Sequence, residues 1–455
     1  MNKVFIAILL ATALAAIEGT IVATAIPSIT AELKGVELIS WIYSAYLLTS
    51  AIAAILFGKL ADLFGRKKMI LIGITLFTVG SLLCGTANSM TMLIVYRAIQ
   101  GIGAGSILPI TLTIVSELFP EEKARAKGQS YISMVWGVAG IVAPLLGGFL
   151  IEVFSWHAVF LVNIPFALFA MLLIGKYYDE TIHKKRHTID YAGAILFAVS
   201  TFALMYAIIT GSNDGNWLSM NQILSYIVVV IGYSALIAVE LKAKEPIIPL
   251  SFFKNRRFMT INVLSFSTMA IVIGLSAYIP LYAQSILGKS ATVGGLLLTP
   301  LSFCWTLGAM FIGLYIGKLP NKYFMLIGTV FLMIGTFCMT QFHMETSAIF
   351  VAVASSIVGL GMGFISPLLI ITLQKTVPKE QVGTATGFNS FTNTFSQALG
   401  AAMYGVCFNM ASTGVQTAET ITAGVQAVYM LAVVFAVIAC FCVCTIPKKV
   451  KEVKA

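Results

Sequence analysis

The chain has 455 residues, of which 59% are hydrophobic and 10% are charged, whereas a typical soluble domain carries roughly 25% charged residues. No soluble enzyme fold can bury so many apolar side chains, so this class is excluded. The apolar residues form long continuous runs rather than short alternating segments, which also excludes a transmembrane β-barrel.

Long apolar blocks follow one another along the whole chain. Each has about 18–27 residues, enough to cross a hydrocarbon core of roughly 30 Å at about 1.5 Å per residue. We count fourteen, with approximate limits 4–26, 41–61, 69–86, 91–115, 129–153, 158–175, 191–210, 223–240, 260–283, 293–316, 324–341, 347–373, 383–409 and 424–446. The sequence therefore predicts an all-α membrane protein with fourteen transmembrane helices.

The net charge of +10 follows from where the basic residues lie. If the N-terminus is cytoplasmic, nearly all Lys and Arg fall on cytoplasmic segments, such as 66–68 and 184–186. This asymmetry is the positive-inside rule, and it predicts both termini in the cytoplasm and no nucleic-acid partner. The seven cysteines lie within predicted helices, and the cluster at 440–444 has no histidine nearby, so we expect no metal site and no cofactor.

The chain contains a faint internal repeat. The segment 58–60 recurs as 317–319, the segment 71–73 recurs as 326–328, and the three glycines of 101–105 recur in 359–363. Three such matches, at nearly constant offset, relate predicted helices 1–6 to helices 9–14. Paired bundles around a midplane cavity are typical of transporters. We therefore divide the chain into an N-terminal six-helix bundle (1–180), two inserted helices 7 and 8 with their loops (181–258) and a C-terminal six-helix bundle (259–455).

Five segments carry further motifs, at 17–27, 58–68, 93–105, 143–148 and 156–165. Together they resemble the motifs of the major facilitator superfamily, in its fourteen-helix drug:proton antiporter branch of bacterial multidrug efflux pumps. The resemblance covers nearly the whole chain and implies two pseudo-symmetric bundles with two extra central helices. The chain departs from the usual pattern at Glu18, Ala143 and His157, where Asp, Gly and Arg are frequent.

The loop after helix 2 is a candidate conformational latch, formed by Gly58, Asp62, Gly65 and Arg66. A carboxylate at position 62 can pair with Arg66 and with the positive N-terminal end of a neighbouring helix. Such a contact can break when the two bundles rock. The alternative is a solvated basic loop.

Glu18 and Arg97 are the ionisable residues that lie well inside the membrane, where a charge is costly and a functional role is the default hypothesis. Helices 1 and 4 run in opposite directions, so the two side chains can face each other at similar depth. Burial and a nearby cation act oppositely on the affinity of a carboxylate for protons. We expect this pair to couple transport to protons, with a static ion pair as the alternative.

Pro144, Gly147 and Gly148 of helix 5 predict an antiporter hinge, because Pro removes a helical hydrogen bond and Gly admits a neighbouring backbone. Packing without motion is the alternative. Helix 13 carries polar residues on one face, which either lines a cavity or forms interhelix hydrogen bonds. The candidates for the substrate cavity are Glu18, Tyr46, Asn163, Tyr278, Tyr282, Gln284, Trp305, Asn389, Asn393 and Gln397.

These features predict a proton-coupled exporter of lipophilic, cationic drugs and dyes that works by alternating access. It is not an enzyme. Its expected partners are small lipophilic substrates, protons and the lipid bilayer, and we expect a monomer in a bacterial plasma membrane. One rival is a dedicated exporter of a single natural compound, such as a fatty acid, siderophore or antibiotic. A non-transporting receptor is a further alternative, although it leaves the embedded charges and the helix 5 motif without a purpose.

Overall fold

A computed structural model describes residues 3–34, 38–180, 190–243, 246–289, 291–412 and 417–447. These residues form helices joined by turns, and none of them lies in a strand. The predicted all-α fold is therefore confirmed for the described ranges. The basic segment 184–186 and the lysines after residue 447, which support the predicted orientation, lie outside the described residues.

The helices follow one another with short connections. Their bounds are α1 (Lys3–Leu33), α2 (Ile39–Phe64), α3 (Arg66–Cys84), α4 (Met90–Leu118), α5 (Glu122–Val153), α6 (Trp156–Leu161), α7 (Asn163–Tyr177), α8 (Tyr191–Asp214), α9 (Met220–Glu240), α10 (Ser251–Lys254), α11 (Arg256–Ser285), α12 (Ala291–Leu296), α13 (Thr299–Tyr315), α14 (Asn321–Thr340), α15 (Ala348–Gln374), α16 (Val382–Ala411) and α17 (Ala418–Thr445). A 3-10 turn at Lys379–Gln381 precedes α16.

Twelve helical segments in the described ranges are long and apolar enough to cross a membrane, and up to thirteen if the two bent parts of α1 form one span. Although α16 has 30 residues, it is not among them, because polar residues such as Asn389, Asn393 and Gln397 lower its hydropathy. Twelve of the fourteen predicted blocks lie on one helix each, whereas the block 158–175 covers α6 and α7 and the block 293–316 covers α12 and α13. The structure thus supports a multi-span membrane protein with twelve candidate spans, and the number fourteen stays a prediction.

The helices pack as two groups with the same pattern of contacts. In the N-terminal bundle, defined as α1–α7, α4 packs against α2 and α3, and α1 packs against α5 and α7. In the C-terminal bundle, α11–α17, the corresponding contacts are α15 with α13 and α14, and α11 with α16 and α17. The bundles meet along two equivalent seams, α2 with α16 and α13 with α5. Helices α8 and α9 pack against each other.

The repeated glycines let helices within each bundle approach closely. A Cβ at Gly105 on α4 would collide with the Ser50 carbonyl of α2. At the equivalent place, a Cβ at Gly363 on α15 would collide with the Trp305 carbonyl of α13. Small residues at such crossings allow backbone-to-backbone packing in lipid, which gives the internal repeat a structural basis.

We expect Gly105→Ala to destabilise the N-terminal bundle by about 1–3 kcal/mol, the usual range for overpacking a close contact. The measurement is the unfolding temperature of the purified protein in detergent. Gly175→Ala on α7 is the matched control, because nothing lies within 4 Å of a Cβ there. Equal unfolding temperatures for the two variants would contradict the close approach of α2 and α4.

The first helix is bent close to its acidic residue. Its two parts, Lys3–Gly19 and Thr24–Leu33, meet at an angle of 50°. Pro27 lacks the N–H that would bond the carbonyl four residues earlier, and Gly19 adds backbone freedom, so both favour a kink. The bend therefore lies between Gly19 and Thr24, one residue beyond Glu18.

Candidate transport site

Glu18 and Arg97 lie in direct contact between α1 and α4. Arg97 Nη1 donates to Glu18 Oε1, and both side chains are almost completely buried, with exposed fractions of 0% and 1%. Arg97 Nε also donates to the carbonyl oxygen of Ile42 on α2, at 3.2 Å. The structure thus brings together the two charges that the sequence places at similar depth.

Neutral polar side chains surround the ion pair. Asn163 Nδ2 donates to Glu18 Oε2 at 2.6 Å, and Arg97 Nη1 donates to Gln100 Oε1 at 2.7 Å. Ser81 on α3 joins the two amides, since its Oγ accepts from Gln100 Nε2 at 3.1 Å and from Asn163 Nδ2 at 3.2 Å. The five side chains form a closed hydrogen-bonded ring, and all are buried.

The break between α6 and α7 positions this ring. Asn163 is the first residue of α7, and the Phe160 carbonyl near the end of α6 accepts from Ser81 Oγ at 2.8 Å. On the other side, the Arg97 guanidinium carbon lies 4.2 Å from the centre of the Tyr46 ring, a cation–π distance. The positive charge is therefore held by one carboxylate, two oxygen acceptors and an aromatic face.

In this arrangement, Glu18 and Arg97 can exchange partners without leaving either charge uncompensated. A buried ion pair is stable only when its hydrogen bonds are satisfied, and removing one partner is strongly unfavourable. A proton on Glu18 or a cation beside it would each replace part of the compensation that Arg97 supplies. The neutral donors and acceptors of the ring can then form hydrogen bonds with Glu18 or Arg97 when the ion pair separates.

The predicted cavity residues fall into two sets. Tyr46 and Asn163 contact the ion pair, whereas the others lie on α11, α13 and α16 of the C-terminal bundle. Asn389 Nδ2 donates to Asn262 Oδ1 at 3.1 Å, and Asn393 Oδ1 accepts from Ser265 Oγ at 2.5 Å. These contacts to α11 match the interhelix alternative for the polar face.

The remaining cavity candidates have different surroundings. Tyr282 is buried, and its hydroxyl donates to the His343 carbonyl at 2.5 Å. Tyr278 is half-buried, and Gln284 is exposed. Gln397 Nε2 donates to a carbonyl of its own helix at 3.4 Å, and Trp305 Nε1 is a buried atom without a hydrogen-bond partner in the described ranges. A substrate-binding role for these residues stays a prediction.

Asp62, at the end of α2, joins the two bundles. Its Oδ2 accepts from the Thr384 backbone N–H at 2.6 Å and from Thr384 Oγ1 at 2.8 Å, and its Oδ1 accepts from Gly383 N–H at 3.0 Å. These donors belong to the first turn of α16, where the helix dipole also favours a negative charge. Arg66 Nη2 lies 3.2 Å from Asp62 Oδ1.

Two glycines of the latch motif have separate structural reasons. A Cβ at Gly58 would lie 2.6 Å from the Gly383 carbonyl oxygen and 3.1 Å from Gly387 Cα, so glycine permits the close crossing of α2 and α16. Gly65 joins α2 to α3 with φ of 93°, a value that L-residues with a side chain rarely adopt. The turn places Arg66 beside Asp62.

Arg66 also connects α3 to two further carboxylates. Its Nε lies 3.0 Å from Glu117 Oε1 on α4, and its backbone N–H donates to Glu180 Oε1 at 2.8 Å. Tyr178 donates its hydroxyl to Glu117 Oε2 at 3.3 Å, and burial and the two carboxylates raise the pKa of Tyr178. The phenol therefore stays a proton donor to this cluster.

The second seam has polar contacts at the same end of the molecule. Glu122 at the start of α5 lies 2.8 Å from Lys375 Nζ and accepts from Asn321 Nδ2 at 2.6 Å. Ser130 Oγ donates to the Ala309 carbonyl of α13 at 2.5 Å. The two bundles are thus held together on both seams at the Asp62 end.

The predicted hinge motif packs against the bend of α1. A Cβ at Gly147 would collide with Thr24 Oγ1 and lie 3.0 Å from Ile21 Cγ1, whereas a Cβ at Gly148 would meet nothing within 4 Å. The side chain of Pro144 lies outside the described part of the structure. The helix α5 is continuous through this motif, and the hinge stays a prediction.

Several residues of the site have no strong sequence signal. Ser81 is one serine among many, and Glu117 and Glu180 look like ordinary charges at helix ends. Gln100 belongs to the motif at 93–105. In the sequence, only its spacing of three residues from Arg97 indicates that it lies on the same helix face as the cation.

The repeated helical bundles, the two seams between them and the buried ion pair define a multi-span membrane transporter. A family model described as Major Facilitator Superfamily matches residues 8–401. The chain belongs to the major facilitator superfamily. Membership of this transporter family confirms that the protein is not an enzyme, and its partners are small-molecule substrates.

Curated relatives are similar over most of their length. The chain is 36% identical over 402 residues to "Multidrug resistance protein 3" of Bacillus subtilis (strain 168), covering 88% of this chain and 78% of the relative. It is 33% identical over 402 residues to "Multidrug transporter protein MdtP" of the same organism, covering 88% and 74%.

Solved structures show the same fold at low sequence identity. The crystal structure of the human organic anion transporter MFSD10 aligns with a TM-score of 0.71 at 14% identity, covering 97% of this chain and 99% of that chain. The proton:xylose symporter XylE aligns with a TM-score of 0.70 at 15% identity, covering 99% and 97%. Similarity at this level establishes the fold alone.

Proposed function

We propose that the protein is a proton-coupled exporter of lipophilic cationic drugs and dyes that works by alternating access. The observation that carries this proposal is the buried pair of Glu18 and Arg97 within its ring of neutral polar groups. An ion pair at membrane depth is costly. The two multidrug relatives, at 36% and 33% identity, support drug efflux as the activity.

The proposed topology has fourteen spans, with both termini in the cytoplasm of a bacterial cell and the Asp62 end of the molecule on the cytoplasmic side. Residues 1–180 and 259–455 form the two moving bundles, and 181–258 form the inserted pair. The protein acts as a monomer in the plasma membrane. In this orientation, the polar contacts on both seams close the cytoplasmic side.

In the proposed cycle, Glu18 exchanges a proton for a substrate cation. A lipophilic cation that enters from the cytoplasm favours the ionised carboxylate and displaces the proton inward. A proton from outside then neutralises Glu18 and helps to release the cation. Because one proton enters for each monocation that leaves, the exchange moves no net charge. The electrical energy of the entering proton, about 2.3 kcal/mol per 100 mV of inside-negative potential, is used to move the cation outward, and the net driving force is the pH gradient, about 1.4 kcal/mol per pH unit.

The C-terminal bundle favours singly charged substrates. Gly274, which the repeat aligns with Glu18, faces the Tyr404 ring, where a Cβ would lie 2.8 Å from Cε2. The buried polar residues described in α11 and α16 are neutral. A second positive charge on the substrate would therefore lack a partner there, and we propose that monocations are handled better than dications.

The proposal is tested in everted membrane vesicles that contain the full chain. A proton gradient should drive uptake of the monocation ethidium, adding ethidium should dissipate part of the gradient, and a bulky dication should produce a smaller effect. Vesicles made without the protein are the control. Uptake that persists after the gradient is collapsed would contradict proton coupling, and no uptake of any dye would favour the dedicated exporter of one natural compound.

A further inference from the structure

The far end of α1 carries a second pair of titratable side chains, at the opposite end of the molecule from Asp62. Glu32 lies in the last turn of α1, and His157 lies in the first turn of α6. His157 Nε2 is 4.0 Å from Glu32 Oε1, a separation too long for a hydrogen bond. The two atoms are nevertheless close enough to form an ion pair when the imidazole is protonated.

The indole of Trp156 contacts both side chains. Its Nε1 donates to Glu32 Oε2 at 2.8 Å, and its ring stacks on the imidazole of His157, with the ring centroids 3.7 Å apart. Trp156 is only 2% exposed, so the surrounding bundle fixes its position. Ion pairs near a surface are usually weak because ordering two side chains costs entropy. Here the indole already restricts both partners, and little further ordering is needed for them to pair.

Water reaches this pair through a cleft. The side chain of Glu32 is 56% exposed and that of His157 is 28% exposed, whereas Glu18 is completely buried. A proton can therefore pass directly between the solution and the imidazole. The cleft has a volume of about 470 Å³ and is lined by Ser28, Ala31, Glu32, Ile151, Ser155 and Trp156.

Few charges surround the imidazole in the described ranges. Helix α6 packs against α1, α3, α5 and α7. Helix α1 contributes Glu32, and the exposed Lys34 follows it; the end of α5 contributes the exposed Glu152. Residues 84–89, at the end of α3 and in the turn after it, carry no charge, and Lys176 lies at the other end of α7. Glu32 is therefore the charged group that the described contacts place beside the imidazole.

Histidine ordinarily changes its charge between about pH 5 and pH 8, and both ring nitrogens of the imidazolium donate. We propose that His157 and Glu32 form a proton-binding site that is separate from Glu18. A proton from the solution binds to the imidazole, whose Nε2 then pairs with Glu32 Oε1, while Nδ1 faces Ser155 Oγ at 3.4 Å. Protonation thereby fastens the end of α1 to the beginning of α6.

The role of this site in transport rests on the proposed exporter, whereas the proton site itself does not. In the proposed topology the site faces the outside, on the acidic side of the gradient. Glu32 belongs to the part of α1 beyond the bend, Thr24–Leu33. Six residues after His157, Asn163 donates to Glu18. Acid outside the cell therefore fixes the outer part of α1 to the segment that carries Asn163.

The fluorescence of Trp156 tests the proton site on the purified full chain in detergent. The other tryptophans are replaced by phenylalanine, at positions 41, 136, 217 and 305. A protonated imidazole in contact with an indole quenches its emission, so the signal should fall by about half or more between about pH 8 and pH 5. His157→Gln should abolish this response, and His343→Gln, at an exposed histidine between α14 and α15, should retain it. A constant signal in the parent, or a response that survives His157→Gln, would overturn the site.

A double-mutant cycle tests the pairing with all native tryptophans in place. The unfolding temperatures of Glu32→Gln, His157→Gln and the double variant are compared with wild type at about pH 5.5 and pH 8. At the lower pH, the summed losses of the single variants should exceed the loss of the double variant by about 1–2 °C, as for a partly exposed pair. At the higher pH this difference should vanish. Glu152→Gln in place of Glu32→Gln is the matched control and should show no coupling. Additive losses at both pH values would contradict the pair.

A transport measurement separates this site from the proposed exporter. In everted vesicles the lumen corresponds to the outside, and ethidium uptake is followed at a constant pH difference while the luminal pH is lowered. His157→Gln should lose about half or more of the acid stimulation that wild type shows, because its side chain gains no charge in the range where histidine does. Equal stimulation of the two proteins would disprove the role in transport. Uptake by neither protein would disprove the proposed exporter, and the fluorescence and the cycle would still decide the proton site.

Discussion

Glu18→Gln is expected to abolish gradient-driven export and the release of protons on substrate binding. The amide keeps the size of the side chain and can still accept from Arg97, but it carries no negative charge and binds no proton at physiological pH. If Glu18 is the coupling group, adding substrate to detergent-solubilised wild type should release protons, whereas the variant should release none. The measurement is the pH change of a weakly buffered solution after adding ethidium.

The controls for this experiment follow from the ion pair. Glu18→Gln leaves Arg97 buried without its counter-charge, which costs about 3–5 kcal/mol when a buried pair is broken. The double variant Glu18→Gln with Arg97→Gln removes both charges and should recover much of the lost stability while still releasing no protons. Glu18→Asp should keep partial activity, because the carboxylate remains on a shorter arm. Equal proton release from wild type and Glu18→Gln would show that the coupling proton resides elsewhere.

Features that depend on local composition could be predicted from the sequence. Runs of apolar residues predict where the helices lie, because backbone groups in lipid must form hydrogen bonds within their own segment. The similar depth of Glu18 and Arg97 follows from counting residues along antiparallel helices. The repeated glycines of 101–105 and 359–363 indicate two similar bundles, and the structure shows that these glycines lie at equivalent helix crossings.

Features that depend on which helices meet could not be predicted. The donors to Asp62 lie more than 300 residues away, on the first turn of α16, and nothing local in the sequence indicates that helix. The observed 50° bend is in α1, whereas the sequence predicts a hinge in α5. The two are adjacent, because Gly147 packs against Ile21 and Thr24. The sequence does not distinguish whether the polar face of α16 lines a water-filled cavity or forms hydrogen bonds to α11, because both roles require the same residue types.

Asp62→Asn is expected to slow transport strongly while leaving substrate binding nearly unchanged. The carboxylate accepts three hydrogen bonds from α16, and the amide can accept from one side only and carries no charge toward the helix N-terminus. Losing about 2–3 kcal/mol of closure energy shifts the equilibrium between open and closed forms about 30- to 150-fold. The proposed cation-binding residue, Glu18, lies on α1, whereas Asp62 lies at the end of α2. The affinity for substrate, measured in detergent, should therefore change much less than turnover.

Turnover in proteoliposomes should therefore fall by about tenfold or more for Asp62→Asn. The reason is that the equilibrium between the open and closed forms, which each transport cycle must pass through, is shifted about 30- to 150-fold. Asp179→Asn removes an exposed carboxylate near the same cluster and should retain wild-type turnover. A cysteine at Ala54, which is buried at the α2–α16 crossing, should react faster with a thiol reagent in Asp62→Asn, after the native cysteines are removed, because the crossing opens more often. Wild-type turnover together with unchanged labelling would show that Asp62 only fixes the packing of α16, and the latch would have to be abandoned.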